Sequence, residues 1–145
     1  MFYSAGLGGL PKDDQEAARL FKLAADQGLA QAQEWLGLFY ETGRGGLAQD
    51  DREAVRLYRL AAGQGRAQAE RRLAFYYENG RGGLGKDDVE AARLYKLAAD
   101  QGDHFAQNRL GIFYQYGLGG LPKDPQEAKR LFDLAGSPSP GALPK

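Results

Sequence analysis

The 145-residue chain has no cysteine, almost no β-branched residues and no net charge. The absence of cysteine excludes disulfides and cysteine-ligated metals, although it does not choose a compartment. Thr42, Val55, Val89 and Ile112 are the only Thr, Val or Ile residues, which argues against propellers and other β folds. Lys plus Arg and Asp plus Glu number 19 each. This balance argues against nucleic-acid partners, whose binding grows with the number of phosphates neutralised.

The sequence also shows no candidate targeting or membrane-spanning segment. No apolar run approaches the length of a transmembrane helix, so we predict no membrane span. The opening MFYSAG has neither a basic start nor a long apolar segment, so it is not a secretory signal. The compartment stays open between the cytoplasm and a bacterial periplasm.

A glycine-rich stretch, GRGGLGKDD at residues 80–88, resembles a nucleotide-binding loop. From Gly80 to Lys86 it fits G-x-x-x-x-G-K, but Asp87 stands where a Ser or Thr would hold magnesium. Similar stretches begin at a constant spacing of 37 residues, and the second phosphate-loop glycine, Gly85, occurs in one copy only. We therefore predict that the loop is structural and binds no ATP or GTP. The four copies begin at Gly6, Gly43, Gly80 and Gly117.

The 37-residue period extends along nearly the whole chain. Self-similarity of this length is typical of solenoids, and the dominance of Ala, Leu, Arg, Gln and Glu favours helix. We predict an all-α superhelical array over residues 1–136 and a disordered tail or linker, SPSPGALPK, over 137–145. The array divides into a partial first repeat, 2–30, and repeats 31–67, 68–104 and 105–136.

Each repeat is predicted to contain two antiparallel helices. The first runs from about Ala30 to Thr42, with small residues (Gly37, and Ala74 in the next copy) where a neighbouring helix approaches. The second has an Asp N-cap, a Glu three residues later to close a capping box, and a C-terminal glycine. The Asp/Glu pairs are Asp13/Glu16, Asp50/Glu53, Asp87/Glu90 and Asp124/Glu127. The paired carboxylates are thus interpreted as caps and not as an acid–base pair.

The repeat as a whole resembles the Sel-one-like repeat family, which is related to the tetratricopeptide repeats. The resemblance covers residues 2–136 and includes the pattern A-x-x-x-L-G-x-x-Y-x-x-G-x-G-G-L, carried in the second copy from Ala32 to Leu47. It implies a right-handed superhelix of helix pairs that serves as an adaptor for protein partners. Ala74 departs from the pattern by replacing a glycine. Cysteine-rich secreted relatives of this family link each repeat with a disulfide. Because this chain has no cysteine, its sequence does not support assignment to that subgroup.

The resemblance also implies a binding site, because first helices line the concave surface of tetratricopeptide-like solenoids. On a helical wheel the side opposite Leu36 carries Leu38, whose copies Phe75 and Ile112 are also apolar. This face either forms a groove for a peptide or protein, or is buried between adjacent first helices. The candidate groove residues are Gln31, Glu34, Trp35, Leu38, Glu41, Gln68, Arg71, Phe75, Glu78, Phe105, Asn108, Ile112, Gln115 and Tyr116.

Single residues offer little support for catalysis. His104, the only histidine, sits in a junction without a nearby nucleophile, and no cluster has metal-ligand spacing. Trp35 aligns with arginines in later copies and is either a partner anchor or partly buried. We therefore predict no enzyme activity, no metal and no cofactor.

Two functions follow as expectations. The favoured one is a protein- or peptide-binding scaffold, and the alternative is a carbohydrate-binding or enzyme-associated module near the bacterial cell envelope. Phe2 and Tyr3 match the end of a first helix, so we expect a piece of a longer array or one that borrows a cap. Leu20, Phe21 and Ala24 are then partly uncovered, which favours weak end-to-end self-association.

Overall fold

A computed structural model describes residues 11–136, which form seven α-helices and no strand. This confirms the predicted all-α helical-repeat class, and the predicted bounds of the first helix, Ala30 to Thr42, are those observed. The predicted tail, 137–145, and the partial helix at Phe2 and Tyr3 lie outside the described residues. The helices are α1 (Pro11–Asp26), α2 (Ala30–Thr42), α3 (Asp51–Gly63), α4 (Ala67–Asn79), α5 (Asp88–Asp100), α6 (His104–Tyr116) and α7 (Pro125–Ala135).

Helix starts follow the predicted caps in part. The Asp50 carboxylate accepts hydrogen bonds from the backbone N–H groups of Arg52 and Glu53, at 3.0 and 3.1 Å. The second half of the predicted capping box, in which the Glu53 side chain accepts from the Asp50 backbone N–H, is wrong, because Glu53 binds Arg56 one turn later. The Asp50 N–H already donates to the Tyr40 carbonyl at 2.8 Å, which leaves the Glu53 carboxylate available for the arginine.

The other copies show the same arrangement, with one exception at the N-terminal end. Asp87 and Asp124 cap α5 and α7, and the following glutamates bind arginines three residues on. In the first copy α1 begins at Pro11, so Asp13 lies in the first helical turn and is not the N-cap that the sequence suggests.

Helix ends use glycine as predicted. Gly43 has φ 69° and donates its N–H to the Phe39 carbonyl, a left-handed termination that residues with a Cβ adopt at a cost. Gly65 also has a positive φ, one residue beyond the cap at Gln64. The local rules of helix termination therefore hold in the described part of the chain.

The chain divides into two compact units, residues 1–69 and 70–145, with the boundary inside α4. In unit 1, Ala25, Ala32, Leu36 and Leu57 form one buried cluster, and Leu47 from the loop packs against it. In unit 2, the buried side chains come from all of its helices and include Tyr76, Tyr95, Phe113 and Phe132.

The glycine-rich loop has a structural explanation in close packing. A Cβ on Gly45 would lie 2.7 Å from both the Ala18 Cβ and the Asp14 carbonyl oxygen, and Gly45 has φ 66°. In unit 2, a Cβ on Gly119 would lie 2.5 Å from the Asp88 carbonyl oxygen. The loop therefore crosses directly over the start of the preceding second helix, and only glycine fits there.

The small helical residue also faces a close neighbour, as predicted. A Cβ on Gly37 would lie 2.7 Å from Tyr58, and one on Gly111 would lie 2.7 Å from Phe132. An aromatic ring of the second helix thus lies flat against the first helix of the same repeat.

The outer face of α1 is uncovered, as the sequence predicts. Leu20 is 40% exposed, whereas its equivalents in later repeats, Leu57, Leu94 and Leu131, are 2–3% exposed. Leu57 packs against Ala32 and Leu36 of α2. Self-association through this face remains a prediction.

Candidate functional site

The first helices keep a solvent-facing stripe at the spacing i, i+4, i+7, i+11. In α2 the stripe comprises Gln31, Trp35, Leu38 and Thr42, in which Leu38 is half-buried. The equivalent positions follow the same face of α4 and α6. The exposed members there are Gln68, Phe75, Asn79, Phe105 and Tyr116. Arg72, Arg109 and Ile112 on the same face are half-buried, as are Asn108 and Gln115 beside it.

Two phenylalanines form an exposed patch in unit 2. Phe75 on α4 and Phe105 on α6 are 37% and 43% exposed, and their rings meet edge to face with centroids 6.2 Å apart. Tyr95 lies beneath, 6.4 Å from Phe105, and is itself fully buried. The patch is therefore the visible edge of an aromatic cluster that continues into the core.

Arg71 is held beside this patch by two contacts. Its Nε donates to Asp103 Oδ2 at 3.1 Å, and its guanidinium carbon lies 5.6 Å from the centre of the Phe105 ring. Asp103 is fixed in turn, because its Oδ1 accepts from the Ala106 N–H at 2.8 Å and caps α6. The arginine is thus preorganised next to aromatic side chains. Asp103 is absent from the sequence-derived site, although its position before α6 marks it as a cap.

Glu78 binds inward and links three helices of unit 2. Its carboxylate accepts from the Tyr95 hydroxyl at 2.8 Å and from Arg109 Nη2. Burial raises the pKa of Tyr95, so the hydroxyl keeps its proton and remains a donor. Glu78 therefore has a structural role, and it fixes the half-buried side chain of Arg109 on α6.

The corresponding acids of unit 1 are also engaged. Glu34 is only 4% exposed, and its Oε1 accepts from Arg66 Nη2 at 2.8 Å. Glu41 accepts from the Tyr58 hydroxyl at 2.6 Å. Glu34 is thus covered by the α3–α4 junction and is not presented to a groove. The helical wheel gave the direction of this side chain but could not show that the junction covers it.

The Trp35 side chain is partly packed against α1 and partly exposed. Its ring stacks on Phe21 with centroids 6.1 Å apart and an interplanar angle of 11°, yet it stays 39% exposed. The arginine found at this position in later repeats is replaced here by a ring that packs on another ring. Partial burial, one of the two interpretations made from the sequence, is therefore observed, and a role as a partner anchor stays a prediction.

His104 and Lys86, which were considered for catalysis and for nucleotide binding, contact residues close to them in the structure. His104 Nδ1 lies 3.2 Å from the Gln107 amide oxygen, and its side chain is exposed. Lys86 donates to the Glu78 carbonyl at 3.2 Å and pairs with Asp88 at 3.0 Å. That the loop around Lys86 binds no nucleotide stays a prediction. Among the described helices, none combines the length and apolar character needed to cross a membrane.

These features define a helical-repeat protein built from helix pairs, and the described residues contain no group of His, Cys, Asp and Glu that could hold a metal ion. A model of the Sel1 repeat matches residues 1–29, 30–65, 67–103 and 104–137. The chain belongs to the Sel1 repeat family, as the resemblance indicated. Sel1 repeat proteins are generally non-catalytic scaffolds, and their repeats typically mediate protein interactions.

Solved structures of similar proteins agree with the fold. A Sel1 repeat protein from Oxalobacter formigenes is 37% identical, with a TM-score of 0.79 over 92% of this chain and 54% of its own. A protective antigen present in uropathogenic Escherichia coli strains, which displays the same repeat fold, is 30% identical. Its TM-score is 0.82 over 93% of this chain and 28% of its own.

A more distant neighbour shares the fold alone. Cysteine rich protein B from Helicobacter pylori is 23% identical, with a TM-score of 0.64 over 90% of this chain and 92% of its own. The present chain thus spans about half and just over a quarter of the first two neighbours. Comparison with curated proteins gave no match.

Proposed function

We propose that the chain is a non-catalytic scaffold that binds a protein or peptide through the exposed stripes of its first helices. The observation that carries this proposal is the exposure of large apolar side chains on those helices, above all Phe75 and Phe105. Aromatic residues and arginine are the residue types that contribute most to binding at protein interfaces. Because these two side chains are 37% and 43% exposed, coverage of the remaining surface contributes about 1 kcal/mol each.

The proposed surface is defined by what remains open in each unit. In unit 1 it comprises the stripe of α2 and Gln68. In unit 2 it comprises the rest of the α4 stripe and the stripe of α6, with Arg71 over Phe105. Glu34, Glu41 and Glu78 lie outside it because they bind Arg66, Tyr58 and Tyr95. Unit 2 offers the larger apolar area and is where we place the main contact.

The test compares proteins captured by the immobilised wild-type chain with those captured by Phe75→Ser and Arg71→Glu variants. We expect both variants to lose captured proteins while helical circular dichroism is retained, although Arg71→Glu, which loses its bond to Asp103, should melt at a somewhat lower temperature. Leu97→Ser is the matched control, because Leu97 is 41% exposed but lies on the second helix α5. Loss of capture in the control as well, or unfolding of Phe75→Ser with unchanged capture by Arg71→Glu, contradicts the proposed surface.

A second candidate, binding of carbohydrate near the bacterial cell envelope, is favoured by one observation. Trp35 and Tyr116 present exposed rings on first helices, and exposed aromatic rings are what a sugar platform requires. Trp35 is the only tryptophan, so its fluorescence reports on its own surroundings. Titration with soluble peptidoglycan fragments should shift that emission if this function holds, and an unchanged spectrum at saturating fragment argues against it.

A further inference from the structure

The patch in unit 2 joins an apolar surface to a fixed cation. Phe75 and Phe105 are partly exposed and meet edge to face, and Arg71 lies over the Phe105 ring while bound to Asp103. A guanidinium has five N–H donors, and the bond to Asp103 uses the one on Nε. Donors on Arg71 therefore remain for a carboxylate placed next to the patch.

The charge that reaches solvent around this patch is positive. The Arg71 side chain is 22% exposed and that of Asp103 only 10%, and Arg109 is likewise more exposed than its partner Glu78. Helix α6 contains no Asp or Glu. The other acid of α4, Glu70, is 3% exposed. The carboxylates thus lie behind the guanidinium groups, and an approaching partner meets the cations first.

We propose that this patch recognises an acidic–apolar segment of a partner protein: an apolar side chain covers Phe75 and Phe105, and a neighbouring Asp or Glu binds Arg71. The inference rests on the proposed scaffold function and names the chemistry of its partner. A carboxylate suits the planar, preorganised guanidinium, which forms charge-assisted hydrogen bonds with it. A basic partner is disfavoured by repulsion from the same group.

Unit 1 provides the internal contrast. In the equivalent positions it has Glu34 for Arg71, Leu38 for Phe75, Gln68 for Phe105 and Arg66 for Asp103. Glu34 is buried, and α2 contains no Lys or Arg. The equivalent surface therefore lacks both the aromatic pair and the cation on the first helix. We assign the acidic–apolar specificity to unit 2 alone.

The experiment selects binders of the intact chain from a phage-displayed library of random peptides. We expect enriched sequences to combine Phe, Leu or Trp with an adjacent Asp or Glu. The most enriched peptide is then synthesised, and its Kd is measured by fluorescence polarisation at low and at physiological salt. Phe105→Ala should weaken binding about tenfold, and Arg71→Gln about fivefold with a flatter salt dependence.

Matched controls separate the cation from general effects of substitution. Arg93→Gln removes an exposed arginine of α5 that pairs with Glu90, and it should leave the Kd unchanged. Exchange of the peptide's acidic residue for its amide tests the same contact with unaltered protein. That measurement stays decisive even if Arg71→Gln fails to fold.

The outcomes distinguish the inference from the function on which it rests. If no peptide sequence is enriched, the proposed peptide-binding function fails and the inference falls with it. If binders are enriched and lost in Phe105→Ala, but carry no acidic bias or tolerate the amide exchange without loss of affinity, the scaffold function stands and the acidic–apolar inference is overturned.

Discussion

Each unit has an ion pair between a first helix and the following junction, but the acidic and basic residues exchange positions between the two units. In unit 1, Glu34 on the first helix binds Arg66 from the following junction at 2.8 Å. In unit 2, the first helix supplies the cation instead, and Arg71 binds Asp103 at 3.1 Å. Each pair spans 32 residues, and the partners occupy equivalent positions of the repeat. The repeat therefore preserves complementarity at this contact and not the identity of either residue.

The reversal changes what each first helix presents. In unit 1 the acid is buried, and one of its oxygens, Oε2, has no hydrogen-bond partner among the described residues. In unit 2 the arginine lies over the Phe105 ring, and the acid that binds it also caps α6. The exposed cation thus comes from the junction in unit 1, where the Arg66 side chain is 38% exposed, and from the first helix in unit 2, where that of Arg71 is 22% exposed.

The largest expected effect concerns what the units share, the loop glycine. Gly119→Ala should lower the free energy of unfolding by about 2–4 kcal/mol, because the new Cβ adds a clash to left-handed strain. Gly45→Ala should cost a similar amount in unit 1, where the contact is 2.7 Å. Urea denaturation followed by circular dichroism measures both.

Gly120→Ala is the control for that pair of variants. Gly120 has φ 77°, but its Cβ would lie 3.7 Å from Val89, so only the backbone strain remains. We expect a loss of about 1–2 kcal/mol. Equal losses at 119 and 120 would show that the close approach contributes nothing.

The next effect tests the polarity of the junction directly. Arg66→Ala leaves the buried Glu34 carboxylate without the arginine and should lower the free energy of unfolding by about 2–3 kcal/mol. This loss is smaller than for a fully buried ion pair, because Arg66 is itself partly exposed. Arg71→Ala should cost about 1 kcal/mol, since Asp103 keeps its bond from Ala106. Thermal and urea melts of the two variants give the difference.

Rescue by a second substitution sharpens this result. Glu34→Gln in the Arg66→Ala background should recover part of the lost stability, because a buried amide is easier to accommodate than a buried charge. An Arg66→Ala variant that is as stable as Arg71→Ala contradicts the assigned difference between the units.

A smaller effect is expected at the tyrosine–glutamate bonds, which the units have in common. Tyr95→Phe removes the hydroxyl that donates to Glu78 and should cost about 1–2 kcal/mol. Tyr58→Phe should match it, since Tyr58 donates to Glu41 in the same way. Phe132 already occupies this position in the last repeat, opposite Gln115, so the ring itself is compatible. No change in urea melts in either variant would show that these bonds do not stabilise the fold.

The smallest effect is a pH dependence that arises from a buried acid of unit 2. Glu70 is buried where Gln33 and Gln107 stand in the other repeats, and burial raises its pKa above 4.5, against opposing effects of Gln101 and Arg93. Folding therefore favours the protonated acid. This contribution to stability is complete below pH 4.5 and is lost as the pH rises through the folded-state pKa.

Glu70→Gln should therefore stabilise the chain at pH 7 by up to about 1 kcal/mol and should have little effect below the unfolded-state pKa. Melting temperatures of wild type and variant across this range give the comparison. The amide still accepts the hydrogen bond from Gln101, which the acid accepts at 2.9 Å. A variant less stable than wild type at pH 7 contradicts the assigned burial cost.

The sequence alone determined the class of fold, the 37-residue period and most helix boundaries. Caps such as Asp50 and terminators such as Gly43 act within a few residues, so their effect is visible in the local pattern. Repetition strengthened each assignment, because four copies show the same signals in register. The glycine-rich stretch was predicted to be structural on the same grounds, and the close contacts at Gly45 and Gly119 agree with that role. That it binds no nucleotide stays a prediction.

Only the tertiary structure decided which side chains of the first helices remain open. A helical wheel places Glu34 and Leu38 on one face by angle, but Arg66, 32 residues later, covers Glu34. The Asp103 contact that orients Arg71 and the Phe21 ring beneath Trp35 also come from other helices or junctions. Burial depends on which distant groups meet in space, and helical periodicity specifies the direction of a side chain without specifying what it meets.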